Sequence, residues 1–176
     1  MTTLATGTHT TAGACPVPTG RAVLLAFELS PAGADPVLAA AHELALLHLA
    51  HADTARDLGD ADDTLTAAVA RTQPHRDRAI ARQADLIDDH ITRALPGPRS
   101  GSLHTETVGA LIARLAHRWQ YTQEMATLPT RDPRVRDASA ALAELARAYD
   151  DLIDDVLCGR RYLPRHRQQP IPHREA

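Results

Sequence analysis

The 176-residue sequence contains no lysine and no asparagine, and all 19 of its basic residues are arginine. Without lysine there is no Schiff base, no pyridoxal-phosphate attachment and no P-loop lysine. Without asparagine there is no acceptor for N-glycosylation. The composition therefore excludes the enzyme classes whose chemistry depends on a lysine amine.

Aromatic residues are scarce as well, with one Phe, one Trp and three Tyr, and the formal net charge is −3. Such a chain has neither the basic surface nor the stacking platforms of a nucleic-acid-binding protein. Near the N-terminus the apolar run at residues 22–27 is six residues long, too short for a signal peptide or a membrane span. We expect a cytoplasmic protein with no nucleic-acid and no membrane partner.

Alanine accounts for 33 residues, so the apolar share of 44% overstates the bulk available for a core. A chain of this length fits one domain, and its core must be aliphatic and thin. The first long helix is apolar on more than one face and would expose Leu46 and Leu49 together in an isolated chain. We therefore expect a homodimer or a hetero-complex with this helix as the contact surface.

Composition divides the chain into three parts. Residues 1–20 are rich in Thr, Gly and Pro and are predicted to form a mobile leader, because they cannot bury enough surface to offset the entropy of ordering. Residues 21–159 are predicted to form the helical domain, in which residues 21–28 are either a short strand or an apolar arm laid on the helices. Residues 160–176 form a basic tail, with five Arg against one Glu, expected to fold back on an acidic surface.

Local boundary signals predict four principal helices. Asp35 with Pro36, and later Asp132 with Pro133, read as N-caps followed by proline in the first turn, and Gly159 reads as a C-terminal stop. The helices are predicted at residues 35–58, 61–95, 105–128 and 132–158, with an interruption of the second at Pro74. No segment shows sustained strand alternation, which predicts an all-α, antiparallel bundle-like domain.

An acidic run near the end of the fourth helix has the spacing of a magnesium site. Asp150, Asp151 and Asp154 match the D-D-x-x-D pattern with which prenyl-diphosphate enzymes hold cations that bridge phosphates. Those enzymes also need a second acidic cluster and a large apolar cavity, for which this chain is short. A solvated acidic face is the better interpretation.

The ten histidines are the second possible source of chemistry. Glu43, His48 and His51 lie on the first helix, His90 on the second and His117 on the third. Carboxylate–histidine metal sites in bundles use Glu-x-x-His pairs, a spacing that occurs nowhere here. Glu43 and His48 are separated by about 140° around the helix and do not converge on one ion. Exposed or singly hydrogen-bonded histidines are favoured, of which one or two can carry protons near neutral pH.

Arginine and carboxylate residues form a third set of candidates. They are paired along the sequence as Asp53 with Arg56, Arg82 with Asp85, and Glu106 with Arg114. In an internal pocket, arginine can orient an anionic group while a carboxylate takes a proton or holds an amine. The same pairs can equally be surface ion pairs of little energetic value.

Several of these residues fall in segments that resemble a bacterial family known as domain of unknown function 4254. The segments are T-E-T-V-G-A-L-I-A-R-L at residues 105–115 followed by Met125, D-T-A-R at 53–56, a degenerate D-L-I-D at 85–88, and the G-R-R exit at 159–161. The resemblance covers about residues 36–169. Leu49 stands where the family tends to have Trp, and Ala52 and Ala113 replace acidic residues. It implies an α-helical fold and polar positions of interest, but no reaction.

These observations favour a small-metabolite-binding or metabolite-transforming protein, a subunit in bacterial specialised biosynthesis, that works without a metal or organic cofactor. In this hypothesis the anionic part of the metabolite is held by Arg56, Arg82 and Arg114. An amine or a proton is handled by Asp53, Asp85 and Glu106. The alternatives are a non-catalytic helical interaction or scaffold protein and a carboxylate–histidine metal-binding bundle.

Overall fold

The computed structural model describes residues 17–31, 33, 35–57, 63–95 and 101–164. In these ranges the chain forms five helices and two short strands, which confirms the predicted all-α class. The helices are α1 Gly20–Glu28, α2 Pro36–Asp57, α3 Asp63–Ala94, α4 Val108–Met125 and α5 Pro133–Leu157, and the strands are β1 Ser102–Leu103 and β2 Arg161–Tyr162. None of the helices in the described ranges has the length and apolar content needed to cross a membrane.

The capping signals read from the sequence are confirmed where they can be observed. Asp35 accepts a hydrogen bond from the backbone N–H of Val37 at 2.9 Å, and Asp132 accepts one from Arg134 at 2.9 Å. Each aspartate satisfies a donor in the first turn that has no partner within its own helix. After α5, Gly159 has φ +73°, the left-handed conformation that ends a helix at low cost for glycine.

Residues 21–28 are helical, so the strand alternative was wrong and the apolar arm takes the form of α1. Thr19 caps it by accepting from the N–H of Ala22 at 3.2 Å. The N–H of Gly20 donates to Asp150 on α5 at 2.6 Å. The Thr19 cap is a local signal that the sequence reading did not use, whereas the contact with Asp150 comes from a residue far away in the sequence.

Two further expectations are corrected by packing. Helix α3 runs through Pro74 without the predicted interruption. A proline removes one backbone donor and crowds the preceding turn, but α3 packs along α2 and α4, which supports the turns on either side. In the predicted leader, Val17 is buried at 1% exposure, so the end of that segment belongs to the core, while residues 1–16 lie outside the described part.

The core is aliphatic, as expected, and α4 lies at its centre in contact with each of the other four described helices. Its buried residues are Val108, Gly109, Leu111, Ile112, Leu115, Ala116, Trp119 and Gln120. Trp119 packs against Phe27 of α1 with ring centroids 5.7 Å apart. On α2, Leu46 is 43% exposed but Leu49 is half-buried against the core, so only one of the two leucines expected at the surface is there.

Strands β1 and β2 pair in parallel, with Ser102 opposite Arg161 and Leu103 opposite Tyr162. This pairing attaches the segment before α4 to the segment that leaves α5. Arg160 donates to Asp155 at 2.7 Å, and Arg161 lies 3.2 Å from the same carboxylate. The described start of the basic tail therefore folds back on an acidic surface, as expected, and residues 165–176 lie outside the described part.

The start of α4 rests on α3 through a buried aspartate and a glycine. Thr107 is the N-cap, and the backbone N–H of Gly109 donates to Oδ1 of Asp88 at 2.7 Å in the interior. Any side chain at Gly109 would collide with the backbone carbonyl of Ala84. Asp88 lies one helical turn after Ala84, so the same stretch of α3 both excludes a Cβ atom and supplies the carboxylate.

The start of α1 rests on α5 in the same way. A Cβ atom at Gly20 would lie 2.8 Å from the carbonyl oxygen of Ala146, and Asp150, one turn further along α5, accepts from the N–H of Gly20. A threonine N-cap, Thr19, completes the arrangement. We refer to these contacts, Asp88 with Gly109 and Asp150 with Gly20, as the two Asp–Gly junctions.

We predict that Gly109→Ala destabilises the protein by about 1–3 kcal/mol, because the added methyl group forces two backbones apart. At an exposed helical position the same substitution would stabilise by about 1 kcal/mol. A loss of stability would therefore indicate that the backbones of α3 and α4 lie in close contact at Gly109. The urea midpoint measures it. Ala110→Ser, at the next and exposed position, should change stability by less than about 0.5 kcal/mol. An unchanged or higher midpoint for Gly109→Ala would contradict the junction.

Candidate functional site

Of the three arginine–carboxylate pairs predicted from the sequence, Glu106 and Arg114 form an ion pair, with Nη1 3.0 Å from Oε1. The two side chains are 40% and 47% exposed. The bond joins the residue before the α4 N-cap to the second turn of that helix. An ion pair this exposed contributes little stability and lies in solvent.

The structure places the remaining predicted residues on helix surfaces. Asp53 is exposed on α2, and Arg82 and Asp85 are exposed on α3. Arg56 lies in the last turn of α2, and its side chain is outside the described part. The described members of the predicted set therefore face solvent to a large extent rather than an interior.

The segment that carries most of the family resemblance has a structural explanation in this chain. Thr107 caps α4, Gly109 permits its close approach to α3, and the Glu106–Arg114 pair spans its first turns. In the D-L-I-D segment the buried carboxylate is Asp88, at 6% exposure, which accepts the Gly109 N–H. These residues position α4, which carries His117 of the cluster described below.

The acidic run at the end of α5 is divided between two structural tasks. Asp150 accepts from Gly20, Asp155 binds the two arginines that follow α5, and Asp151 and Asp154 are exposed. Across the described ranges, no group of three His, Cys, Asp or Glu side chains is placed to hold a metal ion. The solvated-face interpretation fits this arrangement.

A polar cluster that the sequence did not connect lies where α2, α3 and α4 meet. The rings of His48 on α2 and His117 on α4 are tilted against each other with centroids 5.3 Å apart. Arg76 on α3 is close enough to depress the protonation of both His48 and His51. We call these four residues the histidine–arginine cluster.

Burial and neighbouring charge keep His48 neutral. Burial makes the largest contribution, and the positive charges of His117, Arg76 and His51 add to it, lowering the pKa of His48 to about 4. At pH 7 the ring is therefore an uncharged imidazole. It takes up a proton near neutral pH only if a negative charge nearby offsets the burial and the neighbouring positive charges.

His51 is affected in the same direction by a more mixed environment. Desolvation and then Arg76 lower its pKa, whereas the carboxylates of Asp77 and Glu124 act against them. His51 thus lies among charges of both signs, and the guanidinium of Arg76 itself lies 3.4 Å from the carboxylate of Asp77.

Two nitrogen atoms of the cluster are buried without a hydrogen-bond partner. Within the described part, three side-chain nitrogens are in this state: Nε2 of His48, Nε of Arg76 and Nε1 of Trp119. The Arg76 side chain is 20% exposed and binds Asp77 only through Nη2, at 3.4 Å. Buried polar atoms are nearly always satisfied in proteins, so two unpartnered nitrogens in one cluster make it the candidate site.

Sequence reasoning found three of the four residues of this cluster. His48, His51 and His117 were considered as proton carriers, but Arg76, on the helix predicted to resume after Pro74, was not singled out. Its position relative to α2 depends on tertiary packing, which spacing along the chain does not reveal.

An open groove of about 290 Å³ lies elsewhere, between the start of α2 and the middle of α3. Its polar lining includes Glu43 and Gln83, and Leu86 lies beside them. His42, also in the lining, is held by a 2.8 Å hydrogen bond between Nδ1 and the carbonyl of Ala26. The groove has no unpartnered buried nitrogen of the kind seen in the histidine–arginine cluster, as far as the described residues extend.

No family model, curated protein or solved structure matches this chain. The functional interpretation therefore depends on the geometry of the site.

We predict that the stability of the protein falls as the pH is lowered from about 6.5 to about 4. Unfolded His48 binds a proton near its ordinary pKa of 6.5, whereas the folded residue does so only near pKa 4. Between these values the unfolded state holds more protons, so acid favours unfolding. His48→Gln should reduce this slope in urea titrations. NMR of the wild-type imidazole should show no protonation of His48 at pH 6.

His90→Gln is the matched control. His90 lies on α3 at a distance of about 21 Å along the helix from Arg76, and its replacement should preserve the acid slope. If His48→Gln also keeps the wild-type slope, the burial of a neutral His48 is not the cause of the pH dependence of stability.

Proposed function

We propose that this protein binds, or binds and transforms, a small charged metabolite at the histidine–arginine cluster, without a metal or organic cofactor. The observation that carries the proposal is the convergence of His48, Arg76 and His117 from three helices with two buried nitrogens unpartnered. Three rigid helices can hold such groups with the precision that recognition needs.

Each residue type supports a distinct role in that proposal. Arg76 is charged at every accessible pH and would anchor an anionic group. His48 is neutral at rest and would accept a proton once that anion is bound, since a nearby negative charge raises the pKa of an imidazole. Glu124 and Asp77 would face an amine. Proton transfer by a positioned histidine is a common source of catalysis.

The pairs predicted from the sequence have a different place in this proposal. Arg114 lies three residues before His117 on α4 and so on the same side of the helix, where the Glu106–Arg114 pair would form part of the rim. Arg82 and Asp85 lie further along α3, and they are given no role at the cluster. Asp53 and Arg56 likewise stay candidates on sequence grounds alone.

The broader setting is also a proposal. The resemblance at residues 105–115 supports a divergent member of the domain-of-unknown-function family 4254, acting as a subunit in bacterial specialised biosynthesis in the cytoplasm. The contacts of α3 support an antiparallel arrangement of the long helices, since Asp88 lies near the start of α4 and Arg76 near its middle. The carboxylate–histidine metal bundle is the weaker alternative, because the described residues offer no three-ligand group.

A non-catalytic interaction protein is the second candidate function. Leu46 is 43% exposed on α2, and the exposed alanines Ala39 and Ala50 lie on the same side of the helix at steps of seven and four residues. Glu43 and Leu86 border this face. We propose that α2 forms the interface of a homodimer or a hetero-complex, which is compatible with metabolite binding at the other side of the helix.

For the wild-type chain we predict a dimer at tens of micromolar in light scattering. Leu46→Glu should shift it to monomer, because a charge would be buried at the interface. Leu29→Glu is the matched control, since Leu29, the C-cap residue of α1, is 60% exposed, and this variant should stay dimeric. A wild-type chain that is strictly monomeric and melts cooperatively would remove the homodimer from the proposal.

Metabolite binding is tested with a panel of small anionic and zwitterionic compounds in a thermal-shift assay. A ligand present at a hundred times its Kd stabilises by about 2.7 kcal/mol, which is about 5–10 °C for a chain of this size. At least one compound should give such a shift with the wild type. Arg76→Gln should abolish it.

Arg78→Gln provides the control for the loss of an arginine from the same helix. Arg78 is exposed and lies about 200° around α3 from Arg76, so this variant should keep the full shift. If no compound stabilises the wild type, or if Arg76→Gln responds as the wild type does, metabolite binding at the cluster is contradicted.

A further inference from the structure

We infer that the group bound at the histidine–arginine cluster is an oxyanion, held between Nε2 of His48 and Nε of Arg76, and that its binding draws one proton onto the histidines. The inference rests on the proposed function and specifies the ligand chemistry of that same site. A carboxylate, phosphate or sulfate group would satisfy it.

The hydrogen-bonding capacity of the two nitrogens selects an acceptor. Nε of arginine is always an N–H donor, and in Arg76 it is buried without a partner. Nε2 of His48, in the same state, is a donor when the ring is protonated. An oxyanion can accept from both, whereas an ammonium group can accept from neither. Burying such a donor unsatisfied costs more than forming its hydrogen bond contributes, so the pair favours an acceptor.

Other arginines in the described part show what a satisfied Nε looks like. Nε of Arg134 donates to Asp132 at 3.1 Å, and Nε of Arg160 donates to Asp155 at 2.7 Å. Both of these arginines are exposed and take their carboxylate from within the chain. Arg76 is more buried than either, and its Nε has no carboxylate of the protein. The missing carboxylate is what a ligand would supply.

The charges around the cluster explain why binding of an anion is accompanied by the uptake of a proton. The titratable and charged groups that act on His48 are His51 from α2, Arg76 from α3 and His117 from α4, and the carboxylates of Asp77 on α3 and Glu124 on α4 act on the neighbouring His51. Arg76 is opposed by the two carboxylates, so an added anion makes the local charge more negative. His48 is the group whose protonation the apo site suppresses most, with a pKa near 4. A bound anion reverses that bias and favours the uptake of one proton by the histidines.

The test uses calorimetric titration of the full chain at pH 7 with sulfate and with acetate, at constant ionic strength set by chloride. Both ions are fully ionised at this pH, so neither takes up or releases a proton itself. Repeating each titration in two buffers of different ionisation enthalpy measures the protons transferred. We expect binding of at least one of the two ions with uptake of about one proton.

Variants assign the roles within the cluster. Arg76→Gln should weaken binding by about tenfold or more, since a charge-assisted hydrogen bond is lost. Arg76→Lys keeps the charge but loses Nε and should also bind more weakly than the wild type. His48→Gln should eliminate most of the proton uptake. Arg78→Gln should match the wild type. An NMR titration of the wild type, in which the pKa of His48 rises with added ion, tests the proton without any substitution.

The two ions also distinguish the sources of the oxyanion. Sulfate binding alone indicates a phosphate- or sulfate-like group, and acetate binding alone indicates a carboxylate, and either supports the inference. Binding without proton uptake, or binding that Arg76→Gln leaves unchanged, overturns it. If neither ion binds but a compound from the metabolite panel still depends on Arg76, the oxyanion inference fails and the proposed function stands. If the panel also gives nothing, both fail.

Discussion

The position of α4 depends on one buried hydrogen bond, from the backbone N–H of Gly109 to the carboxylate of Asp88. A carboxylate at the N-terminus of a helix is favoured by the helix dipole and by the donors that have no partner there. Because glycine leaves room for the α3 backbone, the two helices meet at close range. This contact sets where His117 meets His48 and where Trp119 meets Phe27.

The protein treats its buried polar groups in two opposite ways. Asp88 is buried with its hydrogen bond made, whereas His48 and Arg76 each keep a buried nitrogen without a partner. The first arrangement stabilises the fold, and the second costs stability. Functional sites are commonly the places where a fold departs from its locally most stable arrangement. The Asp88–Gly109 junction holds α3 and α4 in place around the unpartnered nitrogens of the cluster.

Much of the fold could be predicted because its signals are local. Asp35 and Asp132 cap the helices that follow them within two residues, so short-range patterns were sufficient. Helix α1 was left open between a strand and an arm because its local N-cap, Thr19, was not recognised, and the carboxylate at its start comes from Asp150, 130 residues away. The candidate site was found in part, through its histidines. Arg76 was missed because only the packing of a continuous α3 brings it beside His48.

The same long-range contact at α1 has a consequence for synthesis of the chain. Gly20 donates to Asp150 and the Pro18 carbonyl accepts from Tyr149, across separations of 130 and 131 residues. A ribosome that has made α1 must therefore translate most of the protein before these partners exist. Closing so long a loop is slow compared with local helix formation. The contacts of α1 with α4 and α5 are thus among the last to form, whereas its contacts with α2 become available as soon as that helix has been made.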